Sequence, residues 1–232
     1  YNGIQYWGQM AYIFMDSKLS YCVDITKNIT NDSYTISDIE NISDDIMLYG
    51  YFGYGYSDNI TFNDYLATQK LIWKSLGVDV YYTTLSNGNG NRINVDENVE
   101  SIKKYVGEYN LSFSLVSDFK FEVGNTETIN TDRPLDNFIV DNNGNNDFQL
   151  INNEIVINTN LIGEYSFKLK ENYLSRGENK LYTANNSQTI LQVGNLYNKE
   201  YVYNYSVRGG ILEVNITNSV GEPLDKNIFN VI

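Results

Sequence analysis

The 232-residue chain has no histidine and one cysteine, Cys22. Without an imidazole, no Cys-His or Ser-His-Asp arrangement and no transglutaminase-like triad can be assembled. A zinc or iron–sulfur site would have to be built almost wholly from carboxylates, which those metals seldom accept. No metal and no cofactor is therefore expected. The oxygen-rich stretch "DNNGNNDF", residues 141–148, lacks the glycine at position six that an EF-hand loop uses, and it reads as a solvated hairpin loop.

Basic residues are also few: sixteen against twenty-nine acidic ones, a formal net charge of −13. That balance opposes nucleic acid and anionic lipid and favours basic partners such as lysine-rich segments. No run of eighteen apolar residues occurs, so no membrane insertion is expected. No secretory leader opens the sequence and no wall-sorting or lipidation motif closes it, which reads as an excised module. Proline occurs only twice and alanine is scarce, whereas Asn, Ile, Tyr and Lys abound, a bias associated with AT-rich bacterial genomes. The sequons at Asn28 and Asn59 are read as products of that bias.

What is present is enough for a core: 42% hydrophobic residues, 14% aromatic. Near the N-terminus, "IQYWGQMAYIFM" and "LSYCVDIT" alternate like two strands around "DSK", placing Cys22 on or beside the second. From 35 the spacing turns helical in "TISDIENISDDIMLYGYFGYG", "TFNDYLATQKLIWKSLG" and "NVDENVESIKKYVGEY". Thr61 or Asn63 is the expected cap of the second and Asp96 of the third. Beyond 110 the period returns to two in "LSFSLVSDFKFEV", "EIVINTN", "EYSFKLK", "TILQVGN", "EYVYNYSV" and "GILEVNIT". The expected fold is α+β: a single domain, 1–232, with a mainly antiparallel β-sandwich or barrel-like core. A helical insertion at about 35–109 interrupts β-rich parts 1–34 and 110–232.

One residue breaks the helical pattern. With 62–76 on a helix, Phe62, Tyr65, Leu66, Ile72, Trp73 and Leu76 form an apolar stripe, and Gln69 falls in its middle. Asn63, Asp64, Thr68, Lys70, Lys74 and Ser75 are expected at the sides or outside. A buried primary amide must satisfy three hydrogen-bonding groups or accept roughly 1–3 kcal/mol for each left unpaired. An ordinary backbone-bonded glutamine is one answer. The other joins the two oddities: Cys22 sulfur displaces ammonia from Gln69 and leaves a γ-glutamyl thioester. Effective molarities of order 10⁵–10⁸ M for held reactants make such a step conceivable. Tyr21 and Trp73 are suited to excluding water from the bond and equally to plain core packing. The donor that polarises the amide carbonyl is open among Thr68, tyrosines and backbone N–H groups.

Together, "SYCVD" and "YLATQKLIW" resemble the thioester domains of Gram-positive surface adhesins. In that pattern Cys22 matches the thioester cysteine, Thr68-Gln69 the acyl donor and Ile72-Trp73 the apolar pair after it. "MLYGYFGYG" looks like the family's Tyr-Gly-rich helix end. Val23 and Leu71 depart from it, standing where an aromatic and an alanine are common. The C-terminal "GGILEVNITNSVGEPLDKNIFNVI" looks similar to the opening of a Cna-B-like stalk repeat.

The resemblance implies a covalent adhesin. A lysine amine on a host surface or matrix protein would attack Gln69, release Cys22 and form an isopeptide crosslink. Such acyl transfer is single-turnover and not enzymatic. It implies a monomeric tip module, extracellular and on a bacterial surface, wall-anchored through the full-length protein. Two other classes stay open: a noncovalent, lectin-like or protein-binding β-domain with a merely buried Cys22, and a structural stalk domain.

Overall fold

The computed structural model describes residues 9–30, 32–85, 88–111, 113–115, 119–142 and 146–210. In chain order its first elements are β1 (Ile13–Met15), β2 (Lys18–Cys22), β3 (Thr35–Ser37), α1 (Asp44–Phe52), α2 (Phe62–Ser75), β4 (Tyr82–Thr83), β5 (Arg92–Ile93) and α3 (Asp96–Asn110). There follow β6 (Phe119–Glu122), β7 (Thr126–Asn130), β8 (Phe138–Asn142), β9 (Asp147–Ile151), β10 (Glu154–Asn158), β11 (Gly163–Glu171), β12 (Lys180–Thr183), β13 (Ile190–Gln192) and β14 (Glu200–Arg208). The composition is α+β, as the periodicity predicts.

The stretch read as one domain contains two compact units, the described residues of Tyr1–Ser112 with Glu171–Lys199, and those of Phe113–Lys170 with Glu200–Ile232. The first unit holds a five-stranded antiparallel sheet ordered β1-β2-β13-β12-β3, the short pair β4-β5 and all three helices. Within it, the helical spacing expected from residue 35 begins late. Thr35–Ser37 instead forms β3, because Thr35, Ile36 and Ser37 find backbone partners on β12 and Ser37 Oγ shares a 2.8 Å hydrogen bond with Thr183. Helix α1 starts at Asp44, with two aspartates in the first turn where the helix dipole favours negative charge.

Thr61 caps α2 through a capping box. Its hydroxyl accepts from Asp64 N–H, and Thr61 N–H donates back to the Asp64 carboxylate at 2.8 Å, so Asn63 is not the cap. Asp96 proves to be the first residue of α3, and its N–H donates to Asn94 Oδ1 just outside the helix. Helix α2 packs against α1 and against α3, so burial extends well beyond one stripe. Thr68 and Asp64, expected at the sides or outside, are buried, while Phe62 and Leu76 at the helix ends are more than a third exposed. Asp64 survives burial because Thr61 and Asn98 Nδ2 supply its carboxylate with donors.

In the second unit a three-stranded sheet (β7-β10-β9) and a four-stranded one (β6-β14-β11-β8) share one core. Alternation produces it: Ile155 and Ile157 from β10 and Phe167 and Leu169 from β11 face inward. β6 and β14 run parallel. Of the loop expected at 141–148, the flanks are the ends of β8 and β9, and 143–145 lie outside the described residues. The strand expected in "GILEVNIT" and the stalk-like C-terminus also lie largely outside them, as do residues 4–8 of the first expected strand.

Candidate functional site

Cys22 ends β2, in register with Ile190 of β13, and the next residue continues the ladder through Val23 N–H to Thr189 O at 2.9 Å. Gln69 lies mid-way along α2 and is fully buried. The two meet across 47 residues of sequence. Cys22 N–H donates to Gln69 Oε1 at 2.9 Å, and Gln69 Nε2 donates to Cys22 O at 2.7 Å. This two-point clamp resolves the polar anomaly in the stripe, since both ends of the amide are bonded. It also holds the amide against the backbone of the residue that carries the thiol.

Of the donors left open by the sequence, the one that bonds the amide oxygen is the backbone N–H of Cys22. It points at the oxygen on which negative charge would develop during attack at the amide carbon, the placement that makes an oxyanion-stabilising group effective. Thr68 has other work. Its hydroxyl donates to Asp64 O at 2.7 Å, accepts from Tyr54 N–H at 3.0 Å and lies within hydrogen-bonding reach of the Tyr21 phenol. Those contacts tie α2 to the turn after α1 and to β2.

Around this pair the walls are aromatic. Tyr21, buried beside Cys22, stacks on Tyr65 with ring centroids 5.5 Å apart. Tyr65 donates to Ser20 O at 3.2 Å, and Tyr82 to Leu66 O at 2.9 Å. Burial pushes all three phenols well above their ordinary range, and the charge that ionised Cys22 would carry raises Tyr65 and Tyr82 further. Sequence reasoning placed Tyr65 on the apolar stripe without a site role and passed over Tyr82. Tyr65 precedes Gln69 by one helical turn, a spacing that could have found it; Tyr82 offers no local signal.

Ile72 and Trp73 are core residues of the first unit, and the buried indole N–H of Trp73 has no hydrogen-bond partner among the described residues. The thiol of Cys22 is free and buried; desolvation first, then the Asp24 carboxylate, pushes its pKa up to about 12. At neutral pH the sulfur is a thiol, so an attack beginning from a preformed thiolate is disfavoured. No cluster of three Cys, Asp or Glu side chains that could hold a metal occurs among the described residues. The arrangement brings together a buried thiol, an amide, a backbone donor on the amide oxygen and buried tyrosines.

No family model matches the sequence, and no curated protein matches it. Among solved structures, the thioester domain of the Staphylococcus aureus TIE protein is similar at a TM-score of 0.64 and 18% identity, over 85% of each chain. The Bacillus anthracis TIE protein is similar at a TM-score of 0.40 and 14% identity, over 82% of this chain and 42% of its own. The chain has the fold of a thioester domain.

Proposed function

We propose that the chain stores an internal thioester between Cys22 Sγ and the Gln69 acyl carbon and spends it on a lysine amine of a host protein. The observation that carries this reading is the clamp of the Gln69 amide onto the Cys22 backbone N–H and C=O. Sequence expectation and geometry meet at the same two residues.

In the first step the Cys22 sulfur adds to the Gln69 amide carbon while Cys22 N–H stabilises the oxygen. The S–C bond forms, the C–N bond breaks, the thiol proton passes to the departing nitrogen, and ammonia leaves. No external base is required, in keeping with a chain that has no histidine. Tyr21, Tyr65 and Tyr82 exclude water that would hydrolyse the product. In the second step a neutral amine attacks the same carbon, the C–S bond breaks, and an amine proton ends on Cys22 sulfur. A pKa near 12 makes the protonated thiol the stable product. Lysine amines, ordinarily near pKa 10.4, must be delivered and deprotonated by the recognition event.

The acyl group is consumed once, so the reaction is stoichiometric and not enzymatic turnover. The partner is a host surface or matrix protein, and the setting is the exterior of a Gram-positive cell, where the chain serves as a monomeric adhesin tip anchored to the wall through a longer protein. Among the described residues no helix is long and apolar enough to cross a membrane.

Intact mass spectrometry tests the reading. Freshly purified wild type is expected to lack the mass of one ammonia, Cys22→Ala and Gln69→Ala to show none of that deficit, and methylamine to add to Gln69 in wild type alone. Full mass with a titratable Cys22 in amine-free preparations would leave Gln69 a structural amide and favour a noncovalent binding module.

A further inference from the structure

A surface pocket of about 210 Å³ lies beside Tyr21, in the first unit. Lys18, Tyr54 and Arg176 line it, and Gly50 and Gly55 contribute bare backbone. Its walls brace the site: Tyr21 adjoins Cys22 and reaches Thr68, and Tyr54 N–H bonds to the Thr68 hydroxyl. The two glycines are required where they stand. A Cβ on Gly50 would meet Val193 Cγ2 at 2.6 Å, and Gly55 adopts a φ of +84°.

The pocket's charge runs against that of the chain. Arg176 sits over the rings of Tyr51 and Tyr56, 4.6 and 5.5 Å from their centroids, and Lys18 is exposed. Among the described residues neither cation has a carboxylate within ion-pair distance. The carboxylates nearest in sequence, Asp16 and Glu178, are engaged by Lys180. Ring faces attract a guanidinium without consuming its N–H donors, which keep their capacity for a planar anion. Lys18 and Arg176 thus place two cations at one pocket of a chain whose net charge is −13.

We infer that this pocket binds a carboxylate side chain of the target segment, so that the lysine consumed at Gln69 lies close to an Asp or Glu. The inference rests on the covalent reading for its purpose, and on the pocket alone for its chemistry. A carboxylate held by Arg176 and Lys18 would anchor the segment beside Tyr21, the chain neighbour of Cys22, and raise the effective concentration of its amine.

Binding is best measured on Cys22→Ala protein, which cannot form a thioester, using two short peptides that carry a lysine flanked by glutamate or by glutamine. Calorimetry is expected to show the glutamate peptide binding tighter, with the advantage shrinking at high salt. Arg176→Gln should reduce that advantage by roughly tenfold and Lys18→Glu by a few-fold. Arg176 packs on two rings, so Lys18→Glu, at the exposed start of β2, keeps the test independent of folding. Equal binding of the two peptides, or a preference untouched by both substitutions, would overturn the assignment. So would a sulfated oligosaccharide that binds through Lys18 and Arg176 when the glutamate peptide does not. Methylamine addition to wild type is scored separately: its absence sinks the covalent reading and leaves the peptide result to decide the pocket.

Discussion

The side chain of Thr68 occupies the space where a Cβ on Gly53 would fall. Any larger residue at 53 must displace the hydroxyl that receives Tyr54 N–H and holds α2 against the turn after α1. Gly53→Ala is therefore expected to destabilise the fold by about 1–3 kcal/mol and to slow thioester formation. Gly107→Ala, in α3 with no atom near its would-be Cβ, is the control and should be neutral or stabilising by roughly 0.5–1 kcal/mol. Urea denaturation of the two variants checks both signs.

Gln69 bonds the backbone of Cys22, not its side chain. Gln69→Ala strands a buried N–H and a buried C=O, each costing roughly 1–3 kcal/mol, whereas Cys22→Ala leaves the clamp in place. Neither variant forms the thioester, so their stabilities compare directly. Gln69→Ala should unfold at lower urea than Cys22→Ala, and equal midpoints would show that the clamp contributes nothing.

The buried N–H of Trp73, inside an apolar core, has no hydrogen-bond partner among the described residues. Trp73→Phe removes that polar group at the cost of some volume and is expected to be nearly neutral, within about 1.5 kcal/mol. Trp73→Ala should cost about 3–5 kcal/mol. If the indole N–H were essential to the bond, Trp73→Phe would lose methylamine incorporation; retention is expected.

With its thiol free, Cys22 has a folded pKa near 12, above the ordinary thiol value of about 8.5. The native state thus holds a proton that the unfolded chain releases. Its contribution to stability is complete below about pH 8.5 and is lost as pH rises toward 12. After methylamine treatment, alkylation by iodoacetamide should keep rising through pH 10 without a plateau, and stability should fall more steeply with alkaline pH than in Cys22→Ala. Burial raises Tyr21, Tyr65 and Tyr82 in both proteins, so the difference between them reports the thiol together with its effect on Tyr65 and Tyr82.

Much of the chain's design is local and was legible as such. The two-residue period foretold β10, β11 and β14, and of the two caps the sequence offered for α2, Thr61 and Asn63, the structure uses Thr61. A lone thiol and an amide set among apolar helix positions marked Cys22 and Gln69 as oddities, and the resemblance of "SYCVD" and "YLATQKLIW" to thioester domains is what favoured pairing them. Spacing along one element could not tell that Thr35–Ser37 would be captured by β12, nor that a second and third helix would bury Thr68 and Asp64.

Sequence determined which atoms this protein could use: one sulfur, no imidazole, and an amide that its helix turns inward. Only the tertiary structure decided that the amide would be gripped at both ends by the cysteine's own backbone, that Tyr65 and Tyr82 would be buried near enough to Cys22 to feel its charge, and that Lys18 would share a pocket with Arg176. The reason is physical. Periodicity reports which face of an element seeks burial, through forces that have no direction, whereas hydrogen bonds and charge pairs depend on which distant segments the packed sheet and helices bring within about 3 Å.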